Sequence, residues 1–355
     1  MESPPAESAA RDGRAGGEDT RTVLLQLIVG YRISQVIGVL ARLGIPDLLA
    51  DGPRTVAAIA ADLHLDPRST YRVLRAAATL TLLDEVTPRT FAATALSDCL
   101  RSGVPGSLRG MAIAFTAPGF WKPWGRLLES LHEGHAQAVI ELGAEYWDYV
   151  RDHPEESDPL QDSASRRMEA LVRHVPGMLD LAGGELVVDV GAGHGRLLAA
   201  ILEANPGVRG VLFDRPEIVA GSDYAQLPAE LASRCEPRAG DCFEGVPEGG
   251  DVYLLKEVIH NFTEEDAVRV LARCREAMAP SSRVVVIEQV LPPDGGRSLA
   301  QLTDLNMLVV SGGRERTRDE FDELFADAGL RLDGVVPIPA DHQLRGWALI
   351  VGTRA

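Results

Sequence analysis

Three side chains in the C-terminal half have the types and positions that proton transfer requires. His260 follows the apolar run 252–255, Glu288 ends the run that begins at residue 283, and Glu315 lies in the next long connection. If these runs are parallel strands, all three side chains lie at the carboxyl edge of one sheet, where open α/β folds place their ligands. Because a carboxylate stabilises a neighbouring imidazolium, the three residues are candidates for a general base and its partners.

A glycine-rich turn precedes these residues in the chain. Residues 186–195 read LVVDVGAGHG, a strand that runs into a turn containing Gly191 and Gly193 and then into a helix. Glycines let the backbone approach a ligand, and a helix N-terminus favours an anionic group. Arg196 stands where a nicotinamide-type GxGxxG fingerprint needs its third glycine, so the motif is DxGxGxG instead.

Two acidic residues after this turn fit a nucleoside. Asp214 ends the apolar run 210–213, and a carboxylate at the tip of the second strand is well placed for two ribose hydroxyls. Asp241, flanked by Cys242 and Phe243, follows a polar turn and is positioned to meet the adenine amine.

Alternating strands and helices must hold these residues in place. Apolar runs rich in Val, Ile and Leu alternate with helical segments such as 197–204 and 264–279. This alternation predicts an α/β fold with a doubly wound parallel sheet. The predicted strands are 186–190, 210–213, 252–255, 283–287 and 347–351.

The N-terminal part has the pattern of a winged helix. An apolar helix is predicted over 22–43, followed by helices over 55–63 and 66–80 and a small hairpin over 83–92. The first helix is apolar on more than one face, which indicates burial against a partner.

DNA binding is the alternative for this part, because its third helix carries Arg68, Arg72 and Arg75. Residues 20–110 hold ten basic and seven acidic residues, a weak net charge of +3. The helix also lacks Asn, Gln and Lys for base edges, so a dimer role is favoured.

The helical segment 111–170 is rich in aromatic residues. Some of these rings, such as Trp121, are candidates to line an apolar substrate pocket, and ordinary core packing is the alternative. Met168 and Met307 have the same two interpretations.

Along the chain, the DxGxGxG turn is followed by Asp214 and then by Asp241. This order of features resembles the S-adenosylmethionine site of the Rossmann-like methyltransferases. Residues 254–262, LLKEVIHNF, resemble the LKxxLHDW segment of the bacterial and plant small-molecule O-methyltransferases. Residues 312–317, GGRERT, resemble the GGxERT segment of the same family. The similarity spans nearly the whole chain and is closest to enzymes that methylate aromatic polyketides and related natural products.

The resemblance implies an S-adenosylmethionine-dependent O-methyltransferase that acts on a hydroxyl of an aromatic or polyketide-like secondary metabolite. The implied C-terminal domain is a Rossmann-like class I methyltransferase domain with a seven-stranded, mostly parallel sheet. An N-terminal α-helical winged-helix domain would join two subunits into a homodimer. The resemblance implies no metal, nucleic acid or membrane, and S-adenosylhomocysteine as the product.

The resemblance also assigns roles to individual residues. His260 becomes the general base, oriented by Glu288 and Glu315. The expected substrate contacts are Trp121, Met168, Asn306 and Met307. The expected cofactor contacts are Asp189, Gly191, Gly193, Asp214, Asp241, Cys242, Phe243 and Lys256.

The chain departs from the family pattern at two places. Asn261-Phe262 replaces the usual Asp-Trp after the base, and Cys242 stands where an aromatic residue is commoner. One alternative function is therefore a methyltransferase-like enzyme that uses the cofactor structurally for hydroxylation or other tailoring chemistry. The other is a metabolite-sensing winged-helix regulator that binds DNA.

Composition limits the remaining possibilities. The net charge of −17 over 355 residues argues against broad binding to a phosphate backbone. We find no run of 18 apolar residues and no secretory signal, and the four cysteines show no CxxC spacing, so a cytoplasmic location is expected. The predicted parts are a disordered tail (1–19), a dimerisation domain (20–110), a helical linker that contributes to the substrate pocket (111–170) and a catalytic domain (171–355).

Overall fold

The computed structural model describes residues 19–293, 296, 298–339 and 344–355, without the side chains of 161–166, 223 and 225. Residues 1–18 of the predicted tail lie outside the described residues. Backbone contacts divide the chain into two units, Met1–Ala112 and Ile113–Ala355. The finer division of the second unit at residue 170 stays a prediction.

The first unit consists of short helices and a small sheet. Its strands form a three-stranded antiparallel sheet in the order β1-β3-β2. The elements are α1 (Thr20–Ile28), α2 (Gly30–Arg42), α3 (Ile45–Leu48), β1 (Arg54–Thr55), α4 (Val56–Asp62), α5 (Pro67–Thr79), β2 (Leu83–Thr87), β3 (Thr90–Ala93), α6 (Ala95–Asp98) and α7 (Arg109–Phe115), the last of which crosses into the second unit.

Local sequence explains the ends of these helices. Thr55 caps α4 by accepting the Ala58 N–H at 3.2 Å, and Asp66 caps α5 by accepting the Ser69 N–H at 2.8 Å. Pro67 at the first position of α5 has no N–H to leave unpaired. Two helices and a hairpin follow one another as the winged-helix pattern predicts.

The expectation of one continuous helix over 22–43 is wrong. The helix breaks at Val29, and α1 and α2 are bent by 48°. Gly30, a poor helix former, stands directly after the break. No single described helix is long and apolar enough to cross a membrane, although this bent pair meets the length and composition test together.

The second unit contains the larger sheet and the helices that flank it. It begins with α8 (Pro118–Trp124), α9 (Leu127–Glu133), α10 (Ala138–Leu142), α11 (Tyr146–Arg151) and α12 (Pro154–Met178). The alternating part comprises β4 (Leu186–Val190), α13 (Arg196–Ala204), β5 (Arg209–Asp214), α14 (Pro216–Ala220), α15 (Ala229–Ala232), β6 (Cys235–Ala239), β7 (Val252–Lys256), α16 (Glu264–Ala277), β8 (Arg283–Leu291), α17 (Ala300–Val310), β9 (Arg316–Thr317), α18 (Arg318–Asp327), β10 (Leu330–Pro337) and β11 (Trp347–Arg354). Single 3₁₀ turns lie at Asp223–Gln226 and Ile259–Asn261.

The described strands of this sheet confirm the predicted Rossmann-like architecture. Seven strands follow the order β10-β11-β8-β7-β4-β5-β6, and the short β9 pairs with β8. The pairs from β8 through β7, β4 and β5 to β6 are parallel, whereas β11 pairs antiparallel with β8 and with β10. The sheet is therefore mostly parallel with an antiparallel edge.

Strand order creates the crevice that holds the site. From β4 the chain proceeds to β5 and β6 on one side and then returns to place β7 on the other side of β4. The direction of winding reverses between β4 and β7, and ligands of open α/β sheets bind at the carboxyl ends of such strands. The glycine turn follows β4, and Lys256 ends β7.

Alternation along the strands builds a core on each face of the sheet. Val188 and Val190 face one fully buried cluster with Val286, while Val187 and Val285 face the other. This burial on both faces explains why the central strands are continuous apolar runs. The outer strands β6 and β10 are more polar, and β6 contains Pro237, so apolar runs do not reveal them.

Candidate active site

The glycine turn packs tightly against other side chains at its first and last glycines and is open at its middle glycine. Gly191, Gly193 and Gly195 have φ of +73°, +57° and +81°, a region that residues with a Cβ rarely adopt. A Cβ on Gly191 would lie 2.6 Å from Val258, and one on Gly195 would lie 2.5 Å from Leu212. A Cβ on Gly193 would meet nothing within 4 Å, so the turn is accessible there.

The turn itself holds the Asp214 carboxylate in place. The Gly193 N–H donates to Oδ2 at 2.8 Å, and the Arg215 N–H donates to Oδ1 at 2.7 Å. Each carboxylate oxygen keeps capacity for a further hydrogen bond. Two oxygens oriented in this way suit the paired hydroxyls of a ribose.

The loop after β6 provides an acidic group and an aromatic wall. Asp241 Oδ1 accepts the Phe243 N–H at 2.8 Å, and the Phe243 ring packs edge-to-face on Phe262 at 4.9 Å between centroids. Burial raises the pKa of the Cys242 thiol to about 11, so this side chain is a neutral apolar contact. The carboxylate acceptor of Asp241 and its apolar surroundings fit an adenine base, whose exocyclic amine can donate.

Asp189 and Lys256 lie at the ends of the adjacent strands β4 and β7. Burial raises the pKa of Asp189 to about 7, although the Lys256 ammonium opposes this and the Asp214 carboxylate adds to it. The residues expected to bind a nucleoside cofactor therefore lie around one crevice, and their roles stay a proposal.

The structure brings the three predicted catalytic residues into direct contact. His260 Nδ1 lies 3.0 Å from Oε1 of Glu315, and the His260 backbone N–H donates to Oε1 of Glu288 at 2.9 Å. Glu315 and Glu288 are only 2% and 1% exposed, whereas the histidine side chain is 14% exposed. One carboxylate thus contacts the ring, the other holds the backbone, and the ring keeps an accessible side.

Burial and neighbouring charges change the pKa of His260 in opposite directions. Burial disfavours the imidazolium, but the Glu315 hydrogen bond and the charges of Glu288, Glu315 and Glu257 outweigh it, so the pKa of His260 is raised above its ordinary value. Burial also raises the pKa of Glu288 to about 7, with His260 opposing this rise. Glu315, which contacts the ring directly, is therefore the principal partner.

Neighbouring elements fix the position of Glu315. Its backbone N–H donates to Oδ1 of Asp304 on α17 at 2.9 Å. The following residue, Arg316, is fully buried and pairs with Glu264 on α16 at 2.8 Å. Asp304 is a residue that our sequence analysis missed, because a lone acid within an apolar helix gives no motif.

Close backbone approach explains the second glycine of the GGRERT segment. The Arg314 N–H donates to the His260 carbonyl at 2.9 Å, and a Cβ on Gly313 would lie 1.9 Å from that same oxygen. This contact leaves no room for any side chain at residue 313. The segment that carries Glu315 is thereby docked against the turn that carries His260.

The departures from the family pattern have structural roles. Asn261 Nδ2 donates to the Glu257 carbonyl at 3.0 Å, a bond that an aspartate could not donate. Phe262 packs on Phe243, so it supports the aromatic wall next to Asp241. Both residues therefore brace backbone around the crevice.

The four expected substrate contacts occupy three helices. Asn306 and Met307 lie on α17, one turn or less from Asp304, and Trp121 lies on α8, where it is partly buried. Met168 on α12 packs against the buried cluster that contains Val187. The indole N–H of Trp124 donates to Asn306 Oδ1 at 3.0 Å, a contact that our sequence analysis missed.

Models of known protein families match both parts of the chain. A model of the O-methyltransferase domain matches residues 124–331, and a model of the O-methyltransferase dimerisation domain matches residues 25–103. The phenazine O-methyltransferase PhzM of Lysobacter antibioticus is 35% identical over 92% of this chain and 95% of its own length.

Two solved structures are also similar. The mitomycin 7-O-methyltransferase MmcR superposes with a TM-score of 0.85 at 31% identity, over 94% of this chain and 98% of its own. The O-methyltransferase NcsB1 from neocarzinostatin biosynthesis, solved with S-adenosylmethionine and 2-hydroxy-5-methyl naphthoic acid, superposes with a TM-score of 0.80 at 27% identity, over 91% of this chain and 96% of its own.

The docking of residue 313 on the histidine turn predicts a large cost for Gly313→Ala. The added methyl group overlaps the His260 carbonyl, so we expect a loss of about 2 kcal/mol or more in the free energy of unfolding. Gly334→Ala is the matched control, because a Cβ there meets nothing within 4 Å, and it should change stability by less than about 0.5 kcal/mol. Urea unfolding measures both variants, and equal stabilities would contradict the assigned contact.

Proposed function

Because the chain belongs to the O-methyltransferase family, we propose that it transfers the methyl group of S-adenosylmethionine to a hydroxyl of an aromatic, polyketide-like secondary metabolite, with His260 as the general base. The observation that carries this proposal is the contact of 3.0 Å between the His260 ring and buried Glu315, at the carboxyl edge of the sheet beside the glycine turn.

The crevice offers S-adenosylmethionine the groups that it needs. Asp214 would hold the ribose hydroxyls, and Asp241, Cys242 and Phe243 would hold the adenine. Gly191 and Gly193 would let the turn approach the ligand, and Asp189 and Lys256 would line the same crevice from β4 and the end of β7. The cofactor supplies an electrophilic methyl group and leaves as S-adenosylhomocysteine.

The tautomer of His260 follows from its partner. A carboxylate can only accept at Nδ1, so Nδ1 carries a proton and Nε2 is free to receive one from the acceptor hydroxyl. A phenol with pKa about 10 and a histidine with pKa about 6.5 differ by roughly 5 kcal/mol in proton affinity. Glu315 narrows this gap by stabilising the imidazolium, and deprotonation as the methyl group is attacked avoids a free phenolate.

The acceptor pocket is assigned to side chains of three helices. We assign it to Trp121, Met168, Asn306 and Met307, since apolar side chains with one amide suit an aromatic ring with polar substituents. The indole of Trp124 can only donate, so the oxygen of Asn306 faces it and the amide nitrogen is left as the donor to the acceptor molecule. The aromatic hydroxy acid bound by NcsB1 supports this acceptor class.

The base assignment predicts a separation between catalysis and cofactor binding. His260→Ala should lower kcat by about 10² or more, because general-base catalysis is lost, while the affinity for S-adenosylmethionine changes little. Asp214→Asn should weaken that affinity about tenfold or more, because a charged hydrogen-bond acceptor is lost. Mass spectrometry of the methylated product and calorimetry with S-adenosylmethionine measure the two effects.

Two results would contradict this account in different ways. Full turnover in His260→Ala would show that His260 is not the general base. Catalysis would then come only from positioning the acceptor next to the cofactor. Absence of S-adenosylmethionine binding to the native chain would show that the chain does not carry out the proposed reaction.

The first unit joins two chains into a homodimer. Its match to a dimerisation domain disfavours the DNA-binding alternative. Helix α1 exposes apolar side chains that suit a subunit interface, among them Leu24, Leu25, Leu27 and Ile28, which are 57–73% exposed. We further propose a cytoplasmic location, since all four cysteines are free thiols.

Charges on this apolar surface should break the dimer. Leu24→Asp/Leu27→Asp places two carboxylates in the proposed interface, and we expect a monomeric mass by light scattering at micromolar concentration. Thr87→Asp, at an exposed position of β2, is the control and should remain dimeric. A dimer in both variants would place the interface elsewhere.

A further inference from the structure

A third acid, Glu257, lies three residues before the base in the chain, and its side chain forms ion pairs that the mechanism described above does not use. Lys256 Nζ is 2.6 Å from its Oε2, and Arg167 on α12 is 2.7 Å from its Oε1. The Glu257 side chain is 16% exposed. The carboxylate is thus held between two cations, one at the end of β7 and one on a helix that is distant in sequence.

The backbone at this position is unusual. Glu257 has φ of +54°, in the left-handed region that disfavours residues with a side chain. Two hydrogen bonds hold it there: its N–H donates to the Ile287 carbonyl at 3.1 Å, and its carbonyl accepts from Asn261 Nδ2 at 3.0 Å. A glycine would adopt this turn without strain, so the glutamate side chain needs another explanation.

The carboxylate stays charged in spite of its burial. Burial favours the neutral acid, but the charges of Arg167, Lys256 and His260 outweigh it and hold the pKa of Glu257 well below its ordinary range. The Glu257 charge in turn contributes to raising the pKa of His260. The Glu257 carbonyl is hydrogen-bonded to Asn261, the residue that follows the base, so the Arg167–Glu257 ion pair is anchored next to His260 and its charges act on the imidazole.

Arg167 is itself held in position. Its guanidinium lies 5.5 Å from the ring centroid of Trp347 at the start of β11, and its buried Nε has no hydrogen-bond partner among the described residues. The Arg167 side chain is 29% exposed. These contacts join α12 to the carboxyl edge of the sheet.

We propose that the Arg167–Glu257 ion pair is a positioning device for the base: Glu257 places a further negative charge beside His260, and Arg167 controls how much of that charge the base experiences. The proposal rests on His260 being the general base. Other charged groups around His260 also affect its pKa, so the variants used in the test must leave all of them unchanged. They are Lys256 at the end of β7, Glu288 on β8, Asp304 on α17, Glu315 and Arg316 at β9, and Glu264 on α16.

The two partners should move the pH profile in opposite directions. The reaction needs neutral His260, so its rate rises with pH through the pKa of the base. Glu257→Gln removes a negative charge, destabilises the imidazolium, and should move this rising limb of kcat/KM to lower pH by about one unit. Arg167→Gln removes a positive charge that offsets the negative charge of Glu257. The imidazolium is then more stable, and the rising limb should move to higher pH by about half a unit.

The double variant completes the comparison. Arg167→Gln/Glu257→Gln replaces an ion pair by a neutral pair, so its limb should lie between those of the two single variants. Arg167→Lys keeps the charge and should restore the native limb. Methyl transfer is measured from pH 5 to 9 on the full-length protein at saturating S-adenosylmethionine.

The proposal is supported if the rising limbs of the two single variants move in opposite directions along the pH axis. It is overturned if both variants fold and their limbs move equally or do not move. If Glu257→Gln does not fold, Arg167→Gln decides alone: an upward shift supports the proposal and an unchanged limb overturns it. His260→Ala separates this from the proposed function. If its residual activity keeps the native limb, the limb does not belong to His260, and both the base assignment and the proposal for the ion pair are overturned.

Discussion

The site depends on keeping one buried histidine between buried carboxylates. Removing water from the His260 imidazolium destabilises it, and removing water from the Glu288 carboxylate destabilises that charge as well. These penalties are offset only while the groups remain in contact, because an unpaired buried charge is costly. The surrounding fold must therefore hold each group by its backbone, and the observed hydrogen bonds do so.

That requirement explains features which would otherwise look unrelated. Gly313 lets one segment reach the His260 carbonyl, Asp304 holds the Glu315 amide, and Asn261 holds the carbonyl of Glu257. The sheet edge that places the base after β7 also places the glycine turn one strand away, after β4, and Asp214 two strands away, at the end of β5. Proton acceptor and cofactor crevice are thus positioned by one sheet edge, which is what in-line transfer between two bound molecules requires.

Much of this arrangement could be predicted from the sequence because it depends on short-range patterns. The turn around Gly191 and Gly193 and the acid that ends β5 carry their own spacing, and strand order then brings His260, Glu288 and Glu315 together. Asp304, Trp124 and Arg167 could not be found in this way, since each acts on a residue far away in the chain and leaves no local pattern. The polar edge strands were missed because strand pairing and packing override weak local signals there. The break at Val29 was missed because a single glycine, Gly30, is a weak signal within an apolar helical pattern.

The proposed chemistry depends most directly on the proton affinity of the His260 imidazole. NMR titration of ring-labelled histidine, with His260→Gln used to assign the resonance, measures the pKa of His260 in the native chain and in Glu315→Gln. We predict a native pKa above the ordinary 6.5 and a fall of about one unit or more in the variant, since the carboxylate that stabilises the imidazolium is lost. A native pKa at or below 6.5 that is unchanged in Glu315→Gln would contradict the account, because Glu315 would then contribute nothing to the basicity of His260.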